Sequence, residues 1–456
     1  MTLAQKQIKG RPVHVSSIYC FIVVFLIAVT VLAQHGNGAM SAAGNSENMP
    51  FPTARKTNSR AGFSALPALP DLYQAMRELQ AQYPERSSLN QIGVSTFQQI
   101  PIWAIKISSD PAVDQDKSSY LFTGLHHARE PLGFRMCMRI AESLLSRYHK
   151  DKIIRKVVDQ FDVWIVPVVN PDGFQFMKEY AHNFPWWRKN QRDNNGDGKF
   201  EPHIDGVDLN RNYGYNWRFG GNAVFKSWFY RGPDAFSEAE VRAVKRLAER
   251  ENVLAGLSFH SYGELVLYPW GNHTRAPDHD LILKEGRQLA GAMKKNGRNE
   301  SYGLVPLDGR AGQSSVWMYG QLRAIDYTVE LADGFFPDSV SAEMVLKQAM
   351  NGVEYFLARG LVSTIVGHVK DADSGIPLAA EGLVAGFEAD HVGRRRSDKK
   401  YGRFERWLEP GFYSITFRAD GYKPVTLDNV EVFEDRQTKL DVYLGKQEQT
   451  QSVEKN

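Results

Sequence analysis

Apolar residues along the chain fall into two textures. Between Asp71 and Arg359, short apolar runs such as Ile102–Ile107, Val163–Val169 and Leu254–Phe259 alternate with longer amphipathic segments near 132–148, 238–250 and 341–358. Runs of that length suit buried strands and the longer segments suit helices, so this region predicts an α/β domain. One helix start is explicit. Ser237-Glu238-Ala239-Glu240 has the spacing of a capping box, in which the hydroxyl and the later carboxylate satisfy each other's backbone donors. After about Val362 the pattern changes to short alternating runs, Ile365–Val369, Leu383–Phe387, Phe412–Arg418 and Leu440–Leu444, separated by Gly, Pro and Asp turns. That texture predicts a small all-β sandwich over residues 363–444.

The two ends carry different signals. Lys6, Lys9 and Arg11 precede an unbroken apolar run of 16 residues, Ile18–Ala33, which closes on Val31-Leu32-Ala33. The run is shorter than the roughly 20 residues that span a bilayer, so residues 1–33 read as a cleaved signal peptide, with an uncleaved anchor as the alternative. The protein is therefore expected to be exported, either secreted or periplasmic, and attached to a membrane only if that segment stays uncleaved. Residues 34–70 lack an apolar period and read as a flexible lead-in, too short for a folded inhibitory pro-domain, and residues 445–456 read as a disordered tail.

Composition narrows the function classes. A chain of 456 residues with 43% hydrophobic and 12% aromatic content can bury substantial cores. The 55 basic and 52 acidic side chains nearly cancel, leaving +3, so no field favours nucleic acid or an anionic membrane surface. Cys20 lies in the apolar leader, which leaves Cys137 alone on a predicted core helix, where it packs and forms no internal disulfide. A monomer is expected.

The chemistry gathers at strand ends. Tyr120-Leu-Phe-Thr-Gly-Leu-His-His-Ala-Arg-Glu130 runs an apolar strand into His127 and Glu130, three residues apart. Zinc takes imidazole nitrogen and carboxylate oxygen, and a catalytic site needs three such ligands with one position open. His260, in Leu257-Ser-Phe-His-Ser-Tyr262, closes another apolar strand that Leu267-Tyr-Pro-Trp-Gly271 would continue. Glu330 ends the apolar run Ile325–Val329, where a carboxylate is costly unless it faces a cleft or is engaged.

In order, the motifs His127-Ala-Arg-Glu130, Asn170-Pro-Asp-Gly173, Trp187-Arg-Lys189, Asp208-Leu-Asn-Arg-Asn212, His260-Ser-Tyr262 and Tyr327-Thr-Val-Glu330 resemble the funnelin family of zinc carboxypeptidases over nearly all of residues 71–360. The resemblance implies a mixed eight-stranded twisted sheet flanked by helices, with one Zn2+ at the strand carboxyl ends held by His127, Glu130 and His260. His126 is then a packing histidine. Asp208 would orient His127, Glu330 would be the general base acting on a metal-activated water, and Arg188 would stabilise the oxyanion. Asn210 and Arg211 would recognise the free terminal carboxylate of a peptide or protein substrate, and Arg129 and Tyr262 would line the cleft.

Three features depart from or add to that pattern. The mobile tyrosine of many family members is not evident, and Asp308 stands in its place. The positions that line the side-chain pocket in relatives are here Gly271 and Ser315, which leave the preferred terminal residue open. Asp193-Asn-Asn-Gly-Asp-Gly198 resembles the start of a calcium loop, with Asp193, Asn195 and Asp197 as oxygen donors, although Ile204 stands where the loop's bidentate glutamate belongs. The last domain, which begins with Ile365–Leu378 and includes Pro410–Phe417, resembles the transthyretin-like module that follows regulatory carboxypeptidases. Two alternatives remain open. One is a zinc amidohydrolase acting on cell-wall peptides or acylated amino acids, and the other is a noncatalytic peptide-binding or docking protein.

Overall fold

The structure, a computed structural model, describes residues 66–270, 275–307 and 311–447. The expected signal segment, residues 34–65 of the lead-in, Gly271, Asp308 and tail residues 448–456 lie outside the described residues.

In chain order the larger domain runs α1 (Leu69–Gln82), β1 (Ser87–Val94), β2 (Pro101–Ile107), β3 (Ser118–Gly124), α2 (Leu132–Arg147), α3 (Lys152–Gln160), β4 (Phe161–Val166), α4 (Pro171–Glu179), α5 (Ala239–Arg250), β5 (Ala255–Ser261), β6 (Leu265–Tyr268), α6 (His279–Ala292), β7 (Gly303–Pro306), α7 (Ser314–Leu322), β8 (Ile325–Leu331) and α8 (Ser339–Arg359). The strands form one mixed eight-stranded sheet in the order β1-β2-β4-β3-β5-β8-β6-β7. Its centre, β4-β3-β5-β8, is parallel. Every residue of β3, β4 and β5 is buried, as a parallel sheet covered on both faces requires. Leu72, Ile140, Val157, Leu289 and Phe356 from α1, α2, α3, α6 and α8 pack in one core layer. Val244 of α5 and Trp317 of α7 pack in the other, against Ile102, Leu121 and Trp164 of the sheet.

Four local expectations are corrected. Leu69 and Pro70 already belong to α1, whose start is set locally: Pro70 suits the first turn, and the Asp71 carboxylate accepts from Ala68 N at 2.9 Å. The capping box at Ser237 does not close. Thr96, from the loop before β2, accepts from Ala239 N at 3.0 Å and bonds the Glu240 carboxylate, while Ser237 Oγ turns to Glu238. A tertiary partner thus replaces the local one. The run after His260 does not continue β5; β6 returns antiparallel to β8 on its other side. The tail starts later than Gly445, since Gly445 O accepts from Lys423 N and Gln447 N donates to Gly421 O.

The smaller domain holds β9 (Thr364–Asp371), β10 (Glu381–Val384), β11 (Arg403–Trp407), β12 (Gly411–Arg418), β13 (Val425–Val432) and β14 (Gln437–Leu444). They form two three-stranded sheets, β10-β12-β13 and β11-β9-β14, over a core that includes Ile365, Phe404, Ile415 and Val442. Trp407 and Val392 do not join that core; they pack into the larger domain's core with Tyr120 and Phe356. Arg359 at the end of α8 pairs with Glu285 at 2.8 Å and donates to Leu408 O at 3.0 Å across the seam.

Candidate metal centre

β3 ends at Gly124, where the chain turns tightly enough for α2 to start behind it. A Cβ on Gly124 would lie 2.6 Å from the backbone of Gly133, so only glycine permits that approach. The turn between carries His127 and Glu130, closed by Glu130 N donating to His127 O at 3.0 Å. The neighbouring strand β5 brings His260 to the same edge, and the next strand β8 places Glu330 opposite His260 in register. Candidate metal-holding side chains from separate strands therefore converge at the carboxyl ends of the parallel sheet, the usual location of sites in open α/β sheets.

Glu130 Oε2 lies 2.9 Å from Nδ1 of His127 and 2.9 Å from Nδ1 of His260, and the two Nδ1 atoms are 3.1 Å apart. The outward nitrogens are engaged: His127 Nε2 donates to Asp208 Oδ1 at 3.1 Å, and His260 Nε2 lies 3.1 Å from Ser258 Oγ and 3.2 Å from Asn210 Nδ2. His127 can thus turn an unprotonated Nδ1 toward the carboxylate oxygen, and so can His260 in the tautomer whose Nε2–H donates to Ser258 Oγ. With both Nδ1 atoms unprotonated, two nitrogen lone pairs and an anionic oxygen face each other at these distances and a cation among them would relieve their repulsion; the donor set is that of a catalytic zinc site. Among the described residues this is the one group of three or more His, Cys, Asp or Glu side chains arranged to hold a metal ion. These residues could hold zinc.

Electrostatics around the cluster support that fit. Burial drives the Glu130 and Asp208 carboxyls up, but His127 and His260 around the first, and Arg188, Arg211 and His127 around the second, outweigh it and hold both well below the ordinary range. Burial pushes His260 down to about 4, and holds His126, stacked on His260 and bonded to Tyr213 OH at 2.9 Å, well below its ordinary value. His260 and His126 are therefore neutral at pH 7, and a neutral imidazole is the form that ligates a metal.

The remaining predicted residues surround this centre. Arg188 Nε donates to Asp208 Oδ2 at 2.8 Å, and its guanidinium lies over the ring of Phe229. Asp208 also accepts from Asn210 N at 3.1 Å, starting the single 3-10 turn Leu209–Arg211 that carries Asn210 and Arg211. The Arg211 guanidinium lies 5.9 Å from the same Phe229 ring. Arg129 donates to Trp186 O at 3.2 Å and lies over Phe335, whose ring meets Tyr262 edge-on at 4.8 Å. Phe229 and Phe335, on which these cations rest, escape sequence reading because the short aromatic clusters Trp228-Phe229-Tyr230 and Phe335-Phe336 lie in loops and have no period. The Asp193–Gly198 loop stands apart from the metal cluster. Asp193 accepts from Gly196 N and Gly198 N at 2.7 Å each, and the Asn195 amide donates to Asp197 and Glu201. Its oxygens are engaged within an Asx-type turn.

On the face of β8 that carries Glu330 and Thr328, Asp326 is buried, and burial pushes its carboxyl up to about 7, only partly opposed by the Ser315 hydroxyl. The folded chain then keeps this proton at pH values where an unfolded aspartate, with a pKa of about 3.9, has released it. Its stabilising contribution is complete below pH about 4 and is lost as pH rises to about 7, at about 1.4 kcal/mol per unit. Asp326→Asn should flatten the decline of the urea midpoint across pH 4–7; parallel profiles for both proteins would refute this.

A family model described as zinc carboxypeptidase matches residues 72–351. Carboxypeptidase A2 of Mus musculus is 30% identical over 334 residues, covering 71% of this chain and 75% of its own length. Carboxypeptidase O of Bos taurus is 29% identical, covering 62% and 76%. A zinc carboxypeptidase of Saccharothrix mutabilis subsp. capreolus is 29% identical over 60% of this chain, which spans 65% of that relative's length. Among solved structures, bovine thrombin-activatable fibrinolysis inhibitor in complex with tick carboxypeptidase inhibitor superposes with a TM-score of 0.56 at 25% identity, covering 65% of this chain and 97% of that one. The chain belongs to the zinc carboxypeptidase family.

Proposed function

We propose that the protein is an exported, zinc-dependent metallocarboxypeptidase that removes the last residue of peptides or proteins. The observation that carries this reading is the convergence of His127, Glu130 and His260 beside Glu330, each delivered by the end of an adjacent parallel strand. Bound zinc supplies Lewis acidity there, polarising the scissile carbonyl and lowering the pKa of water. Glu330 takes a proton from the attacking water and passes it to the departing amine. Arg188, held by Asp208, stabilises the charge that develops on the carbonyl oxygen. Asn210 and Arg211 bind the terminal carboxylate, Arg211 supplying the planar guanidinium that matches it. Arg129 and Tyr262, joined through Phe335, line the cleft on the upstream side of the peptide. No helix of the described residues is long and apolar enough to cross a membrane; export rests on the apolar leader.

Incubation with a peptide mixture, followed by mass spectrometry, should show single-residue losses from carboxyl ends that a zinc chelator abolishes. Peptides amidated at the carboxyl end should survive. Equal hydrolysis of amidated peptides would replace a carboxypeptidase with a broader amidohydrolase, and no hydrolysis by zinc-loaded protein would leave a binding protein.

A further inference from the structure

We propose that the β domain is a positioning element of the substrate site: its loop Gly386–Arg394 grips the last turn of α7 and the ring of Trp270, and through α7 fixes the wall beside the substrate's last side chain. This rests on the carboxypeptidase reading above.

α7 is nine residues long, about 13 Å at 1.5 Å per residue, and its two ends do different things. At the first turn, Ser314 N donates to Asn210 Oδ1 at 2.9 Å, and Ser315 Oγ lies 2.9 Å from Thr328 Oγ1, two residues before Glu330. Asn210, proposed to bind the terminal carboxylate, and Ser315, which stands where relatives line the side-chain pocket, are therefore tied to or part of the start of this helix. At the last turn the carbonyls have no partner within the helix and need one from outside. The β domain provides it. Gly393 N donates to Gly320 O at 2.7 Å, and Arg395 Nη1 donates to Leu322 O at 3.4 Å. In the other direction Arg323, just past the helix, donates to Phe387 O at 2.6 Å.

The contact has no slack. A Cβ on Gly393 would stand 2.2 Å from Gln321 O, and one on Gly320 would stand 2.5 Å from the ring of Tyr215. The Tyr215 hydroxyl in turn donates to His391 O. Trp270 packs on Tyr215 at 4.6 Å, Tyr319 at 5.7 Å and His391 at 5.9 Å between ring centres, and Val392 is buried in the larger domain's core. Close-packed interiors transmit displacement, so a shift of the loop moves α7 and, with it, Ser314 and Ser315. The same two domains also meet where Lys400 and Arg403 pair with Asp114 and Asp116, a seam that involves no residue of α7 and so supplies an internal control.

The test uses full-length, zinc-loaded protein and three variants: Gly393→Ala, the pair Tyr215→Phe with His391→Ala, and Lys400→Ala. Each is assayed on peptides that differ only in ending in glycine or in a bulky residue, with zinc content and amide hydrogen exchange over α7 measured alongside. The first two variants should raise KM for bulky-ended peptides about tenfold, with kcat and zinc content within twofold of wild type, and should speed exchange in α7. The ratio of kcat/KM between the two peptides should change, while Lys400→Ala leaves it unchanged. An active wild type whose ratio and α7 exchange are unmoved by the first two variants, even if they melt earlier, would overturn the inference alone, as would an equal shift from Lys400→Ala. A zinc-loaded wild type that trims no peptide would instead overturn the carboxypeptidase reading and this inference with it.

Discussion

Glu330→Gln is expected to lower kcat by about 10²- to 10⁴-fold, the range typical of losing a positioned general base, while the protein keeps one zinc. Glutamine preserves shape and hydrogen bonding but has no proton-accepting carboxylate. Glu330 contributes none of the three converging ligand atoms, so metal content should not change. His260→Ala makes the contrasting variant, since it removes one of those atoms and should lose metal and turnover together. Metal analysis and initial rates on both variants separate the two roles. Undiminished kcat in Glu330→Gln would overturn the assignment of the base, and loss of zinc from it would mean that Glu330 helps hold the ion.

The second large effect is on stability. Asp278 is buried at the seam between the domains, where Oδ2 meets Arg323 at 2.8 Å and the Tyr319 hydroxyl at 3.0 Å, and Oδ1 meets Arg406 at 3.0 Å. Burial pushes its carboxyl up, yet the two guanidiniums outweigh that and leave it below the ordinary range. Asp278→Ala strands two buried cations with only Glu388 to answer them, at 2.7 Å from Arg406 and 3.6 Å from Arg323. Removing one partner of such a network costs about 3–5 kcal/mol. Urea unfolding at pH 7 should show the loss, and because a carboxylate held low stabilises only while ionised, the gap should narrow as pH falls below about 4. An unchanged midpoint at pH 7 would refute the estimate.

Much of this was readable from the chain, for physical reasons that differ by element. The centre of the sheet was legible because strands buried on both faces are apolar runs, as in Val163–Val169, and amphipathic α2 and α8 announce themselves by their spacing. The three residues that could hold zinc were legible because His127, Glu130 and His260 stand at or just past the ends of such runs, in motifs that resemble those of the zinc carboxypeptidase family. What failed was whatever depended on a distant partner. The cap of α5 came from Thr96, 143 residues away, and the local box could not compete. The return of β6 across β8 follows from packing that no local pattern encodes. β11, which reads Arg-Phe-Glu-Arg-Trp, breaks the alternation expected of a sandwich strand because Glu405 and Arg406 are also buried, against the larger domain. Arg395 looks like one of three surface arginines in a row, yet it is buried and donates to Val253 O and Asn252 O.

Trp407 bears on the timing of assembly. Its ring packs on Tyr120, Phe356 and the Arg359 guanidinium, so the interior that frames the parallel strands includes a residue of β11, which is made after every strand of the larger domain. Ordering by synthesis would leave that interior open to water until β11 has been made and can pack against it.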